Sequence, residues 1–131
     1  MNSKDAESPL SGLQLAVMRV LWDRGEARVT EVHAGLQQER SIAATTVATL
    51  LKRLEKRGLV THHSEGRQFV YRALRSHHDV SRTMLGDLTN NLFRGDTSEL
   101  VAHLLRQDEI APGDLSLIKR MIEDKERESK A

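Results

Sequence analysis

Val47, Leu50, Leu51 and Leu54 recur at i, i+3, i+4 and i+7 within ATTVATLLKRLEKRGLV, residues 44 to 60. Apolar side chains at that spacing line one side of an α-helix, and that side has to be covered by the rest of the chain. The other side carries Thr45, Thr46, Thr49, Lys52, Arg53 and Lys56. A helix with an apolar back and a front of threonines and cations lies on the outside of a small core and presents that front to its surroundings. Gly58, a residue suited to the left-handed conformation, ends it.

The flanking segments supply the cover. LSGLQLAVMRVLWDRG reads as a first helix. Ser11 with Gln14 three residues on forms a capping box, Leu10 and Leu15 form a hydrophobic staple, and Gly25 is the stop. Leu13, Val17, Val20 and Leu21 are its buried stripe. ARV suggests a short strand around Val29, and Thr30 opens a second helix, TEVHAGLQQER, with Val32 and Leu36 inward. After the third helix, two β-rich runs flank Glu65-Gly66, with Val60 on one side and Phe69 and Tyr71 on the other, as in a hairpin. The rest is helical. Ser76 caps HHDVSRTMLGDLTNNLF and Gly95 breaks it. Asp96 with Glu99 opens TSELVAHLLRQDE, and Pro112 starts a last helix with Leu115, Ile118, Met121 and Ile122 apolar.

Charge divides along the same line. Residues 40 to 75 hold eight basic and two acidic side chains, a local charge of +6, whereas residues 76 to 131 sum to −3. A basic block beside an acidic one points to a half that binds a polyanion and a half with another task. With one Trp, one Tyr and two Phe, the core is aliphatic. Three short amphipathic helices make a thin core alone, so the C-terminal stripes call for a second copy of the chain. Met84, Leu88, Leu92, Leu100, Leu104, Ile118 and Ile122 are the candidate dimer contacts.

Two helices separated by the short RSIAA turn, followed by a hairpin, make a winged helix-turn-helix pattern whose third helix enters the major groove. Thr45, Thr46 and Thr49, near its start, can offer hydroxyls to phosphate and methyls to thymine. Lys52, Arg53, Lys56 and Arg57 suit the phosphate backbone, and Arg67 at the wing tip reaches an adjacent phosphate or the minor groove. Arg53 has a competing reading as the partner of Glu31 or Glu55.

Other chemistries find little support. The chain has no cysteine, which excludes disulfides, thiolate metal sites and cysteine nucleophiles. No nucleophile elbow, His-Glu-x-x-His or glycine-rich phosphate loop occurs, so an enzyme is not expected. The adjacent pairs His62-His63 and His77-His78 diverge and make no two-ligand site alone; one from each meeting on a metal is the sharper alternative to surface roles. No cofactor or metal is expected. With no bilayer-spanning run and no secretory leader, a cytoplasmic protein is the default reading.

The same residues resemble the BlaI/MecI penicillinase-repressor family, which includes CopY-type copper-responsive repressors. LQLAVMRVLWDRGEARVTEVHAGL, with Val17-Met18 and Leu21-Trp22 at its centre, looks like the family's first two helices. TTVATLLKRLEKRGLV looks like its recognition helix, GRQFVYRAL like its wing, and LFRGDTSELVAHLL like the joint in its dimerisation region. The resemblance implies a homodimeric repressor on an inverted-repeat operator, and carries DNA contacts to Thr46, Thr49 and Arg53. Ala48 stands where several relatives carry Arg. Relatives are inactivated by a sensor-linked protease that cuts between Asn and Phe. The matching place here is His103-Leu104, so the cleavage pair is not preserved, and the cysteine motif of the copper-responsive branch is absent.

The expectation is therefore a mainly α fold with a small antiparallel β wing. A winged helix-turn-helix domain over residues 8–75 precedes a helical dimerisation region over 76–131. Its partners are double-stranded operator DNA and a second copy of the chain, with relief by proteolysis at His103 and Leu104 and no membrane. A ligand- or metal-sensing winged-helix regulator, or a winged-helix protein-interaction module without a DNA role, are the alternatives.

Overall fold

In the computed structural model, residues 10–107 and 110–130 are described. Their elements follow in the order α1 (Gly12–Arg24), β1 (Glu26–Arg28), α2 (Val29–Gln37), α3 (Ala44–Lys56), β2 (Val60–Glu65), β3 (Gln68–Ala73), α4 (His77–Phe93), α5 (Thr97–Arg106) and α6 (Pro112–Lys130). This is the mainly helical fold with a small antiparallel wing that the patterning predicts. Among the described residues no helix is long and apolar enough to cross a membrane.

The capping box forms as its residue types dictate. Ser11 Oγ accepts the Gln14 backbone N–H at 3.1 Å, and Gln14 Oε1 accepts the Ser11 N–H at 3.0 Å. Both satisfy donors that a helix start leaves without partners. Leu10 and Leu15, the expected staple, join the core. Val17, Met18, Leu21, Val32, Val47, Leu51, Leu54 and Val60 have at most 1% of their surface exposed, and they place α1, α2 and α3 around one aliphatic centre. Burying each such side chain contributes roughly 1.5–3 kcal/mol. α1 and α2 meet closely at Gly35, where an added Cβ would stand 3.2 Å from Val20 Cγ2, so a larger residue there requires the Val20 side chain to give way.

The sheet has the order β1-β3-β2, all antiparallel. Val60 faces Ala73, His62 faces Tyr71 and Glu65 faces Gln68, which leaves Gly66 and Arg67 as the two-residue loop. Gly66 has φ +62°, the conformation such a tight hairpin needs at its first loop residue. β1 adds a third strand by pairing Glu26 with Arg72, Ala27 with Tyr71 and Arg28 with Val70. The strand expected around Val29 thus lies at Glu26–Arg28, and α2 begins at Val29 rather than Thr30. The reason is the Glu31 carboxylate, which accepts the Arg28 backbone N–H at 2.9 Å and sets the helix boundary at Arg28. α2 also stops at Gln37, where the Arg40 N–H returns to the Leu36 carbonyl at 2.8 Å.

Contacts group the chain into two compact units, residues 1–85 and 86–131, with the division inside α4. In the first, Val80 is buried and Met84 packs against the same core. Trp22 Nε1 donates to the Arg75 carbonyl at 2.9 Å, and its ring meets the His77 ring edge-on at 5.1 Å. In the second, Arg94 and Gly95 both take left-handed φ values, 53° and 82°, and turn the chain out of α4. Asp96 then caps α5 by accepting the Glu99 N–H at 3.0 Å.

Candidate nucleic-acid interface

The turn that delivers α3 is fixed from the side. His33 Nε2 and Gln37 Nε2, one turn apart on α2, each lie 2.7 Å from the Ile42 carbonyl oxygen, just ahead of α3. A carbonyl engaged in this way cannot swing out, and the entry angle of α3 is set by α2. From there Val47, Leu50, Leu51 and Leu54 go into the core. Their burial leaves Thr45, Thr46, Thr49, Lys52, Arg53 and Lys56 exposed on one continuous face, with Ala48 half-buried at its margin.

Availability decides whether that face can take an anion. Among the described residues, Lys52, Arg53, Lys56 and Arg67 are held in no ion pair. The competing reading of Arg53 fails on geometry. Glu31 is taken by Arg24 and Arg28, and Glu55 is taken by His62. Arg57 is different: its Nη1 donates to Gln14 Oε1 at 3.2 Å and ties α3 to the start of α1. Thr49 Oγ1 donates back to the Thr45 carbonyl at 3.0 Å, so this hydroxyl offers lone pairs and a methyl outward rather than a proton.

Arg67 stands exposed at the hairpin tip. Two side-chain bridges tie the wing down. Arg28 Nη2 donates to Glu65 Oε2 at 3.0 Å, and His62 Nδ1 lies 2.7 and 2.8 Å from the two Glu55 carboxylate oxygens. The Glu55–His62 pair eluded the sequence reading, although strand alternation puts His62 on the same face as the buried Val60, toward the helices. Burial, and next the nearby Glu55 charge, push the Tyr71 phenol above its ordinary value. Glu31 moves the other way: the hydrogen bond from the Arg28 backbone, then the Arg24 and Arg28 charges, hold its carboxyl below the usual value despite partial desolvation.

The histidine pairs do not converge. His62 turns to Glu55, His63 to Glu65 and His77 to Trp22. Among the described residues no group of three His, Cys, Asp or Glu side chains could hold a metal ion. Of the candidate dimer contacts, Met84 lies half-buried in the first unit. In the second, Leu88, Leu92, Leu104 and Ile122 are exposed, and Leu100 and Ile118 are half-buried. His103 and Leu104 lie inside α5, with the His103 ring against Phe93 at 5.2 Å.

Comparison with known proteins gives a consistent picture. The penicillinase repressor family profile matches residues 10–124. The penicillinase repressor of Bacillus licheniformis is 26% identical over 121 residues, covering 92% of this chain and 94% of that protein. The methicillin resistance regulatory protein MecI of Staphylococcus aureus (strain N315) is 20% identical over 125 residues, covering 95% and 100%. In fold, the chain matches a MarR family protein from Bacillus stearothermophilus with a TM-score of 0.51 at 16% identity, over 98% of this chain and 83% of that one.

Proposed function

The chain belongs to the penicillinase repressor family, and we propose that it works as a homodimeric transcriptional repressor reading an inverted-repeat operator through α3 and the wing. Repressors of this family bind DNA and are not enzymes. The observation that carries the reading is the exposed front of α3, where threonines and cations held in no ion pair among the described residues share one face while the opposite face is buried. In a winged helix that face lies in the major groove. Thr45, Thr46 and Thr49 meet base edges there, Lys52, Arg53 and Lys56 meet phosphates, and Arg67 meets the backbone beside the groove.

Two such helices, related by the dimer axis, would enter successive major grooves roughly 34–36 Å apart and block access of polymerase. The exposed leucines, isoleucine and methionine of the second unit are the surface such a dimer needs, and α5 with its His103-Leu104 bond is the segment whose cleavage would undo it. A repressor acts where the chromosome is, so the expected compartment is the cytoplasm. The test is selection of bound genomic fragments followed by footprinting. Wild-type protein is expected to protect a palindrome, and an Arg53→Ala, Thr46→Ala double variant to lose that protection. Unchanged operator affinity in the double variant would overturn the assigned face.

A further inference from the structure

Glu55 is out of place on a helix that faces a polyanion. It lies beside Lys56 and one turn from Lys52, where a free carboxylate would repel phosphate. The structure gives it another task. The carboxylate is half-buried, and both of its oxygens face His62 Nδ1, at 2.7 and 2.8 Å. The His62 ring in turn packs on two residues of β3, with centroids 4.2 Å from Phe69 and 5.2 Å from Tyr71. The ring is thus clasped between the third helix and the hairpin, and it cannot turn without losing both contacts.

The wing needs such a clasp. β1 accompanies β3 only from Arg72 to Val70, so the outer pairs, Ser64 with Phe69 and Glu65 with Gln68, form a two-stranded ribbon. A two-stranded ribbon has little stability of its own, and its direction is set by what holds its side chains. From the inner side, the His62 ring, bridged to Glu55 of α3 from the three-stranded part of the sheet, packs on Phe69 at the base of this ribbon. From the outer side, Arg28 holds Glu65.

We infer that Glu55 and His62 are a positioning pair: they fix the wing on α3 so that Arg67 at the tip and the α3 face engage one duplex together. The inference rests on the DNA-binding reading above. Neither residue touches DNA in this arrangement; both act through Arg67. The acid is kept in a cationic face because the histidine both needs it and shields it.

A double-mutant cycle separates this from a merely structural role. The probe is the palindromic duplex recovered by selection, titrated with full-length protein. Arg67→Ala in the wild type is expected to weaken binding roughly tenfold, as loss of a hydrogen bond to a charged group does. It is also expected to lower the salt slope by about one per protomer. In His62→Leu, with the tie to α3 gone and the Arg28–Glu65 bridge holding only the outer side, the same Arg67→Ala change is expected to cost less than about twofold, for α3 no longer sets where Arg67 meets the duplex. His62→Gln, whose amide N–H can still donate to Glu55, restores most of the Arg67 cost. Running the cycle from the helix side with Glu55→Leu gives a second reading, in which the uniform gain from removing a negative charge cancels. An Arg67 cost that stays tenfold in both His62→Leu and Glu55→Leu overturns the inference alone, whatever their melting temperatures. Wild-type protein that retains no duplex overturns the DNA-binding reading with it.

Discussion

Replacing Lys56 by glutamine removes one cation from the last turn of α3 and touches no packing, because its side chain is exposed and outside any ion pair among the described residues. The same holds for Lys52, Arg53 and Arg67. If each neutralises one phosphate on B-DNA, the slope of log Kobs against log salt is roughly −3.6 per protomer, at about 0.9 per phosphate. That is on the order of a hundredfold loss of affinity between about 50 and about 200 mM salt for one protomer on a half-site, and on the order of 10⁴ for two protomers on a palindrome. Lys56→Gln should flatten the slope by about 0.9 per protomer and weaken operator and scrambled duplex alike, since a phosphate contact carries no sequence information. Fluorescence anisotropy titrations of both duplexes across that salt range measure it. A wild-type slope near zero would refute the count of phosphate contacts. A Lys56→Gln variant that lost operator binding while keeping the scrambled duplex would show that Lys56 reads a base.

Stability offers three further checks. Leu51→Ala, at a fully buried site in the centre of the core, should cost about 2–5 kcal/mol in thermal or denaturant unfolding. Ser11→Ala removes the capping hydroxyl from the Gln14 N–H and should cost about 1 kcal/mol, measured as a lower midpoint at unchanged denaturant slope. The Glu31 carboxyl, held below its ordinary value of 4.5 by the Arg28 backbone N–H and the arginines beside it, stabilises the fold above that value and loses the contribution as pH falls through its lower folded value. Glu31→Gln should therefore melt below wild type at neutral pH and converge with it in acid. A gap that stays constant over the acid range would rule out the charge as the cause.

What was legible in the sequence is what depends on near neighbours. The spacing of Val47, Leu50, Leu51 and Leu54 fixes the inward face of α3, and with it the outward one. Ser11 and Gln14 are three residues apart and can satisfy each other only at a helix start. Asp96 and Glu99 mark the start of α5 in the same way, by a side-chain cap on the N–H three residues on. The features that escaped join distant residues. Nothing local in Glu26, Ala27 and Arg28 says that they will pair with β3 some forty residues later in the chain, or that Arg28 rather than Thr30 will open α2. Within the site, Thr45 to Lys56 follow from one helix's periodicity. The Ile42 carbonyl held by His33 and Gln37, and the Glu55 carboxylate held by His62, depend on how two elements are docked. The sequence also offered Arg53 two partners, and only the folded arrangement shows both engaged elsewhere.

The bond from Trp22 to the Arg75 carbonyl turns the molecule into its own optical gauge. Trp22 is the sole indole in the chain, and it sits where β3 hands over to α4, with the imidazole of His77 against its edge. Any event that shifts the start of α4 against α1 must lengthen that bond or lift the imidazole away, and either changes the emission colour and brightness of this one fluorophore. A shift at the root of α4 can thus be followed in real time without a dye, through the indole that is bonded to it.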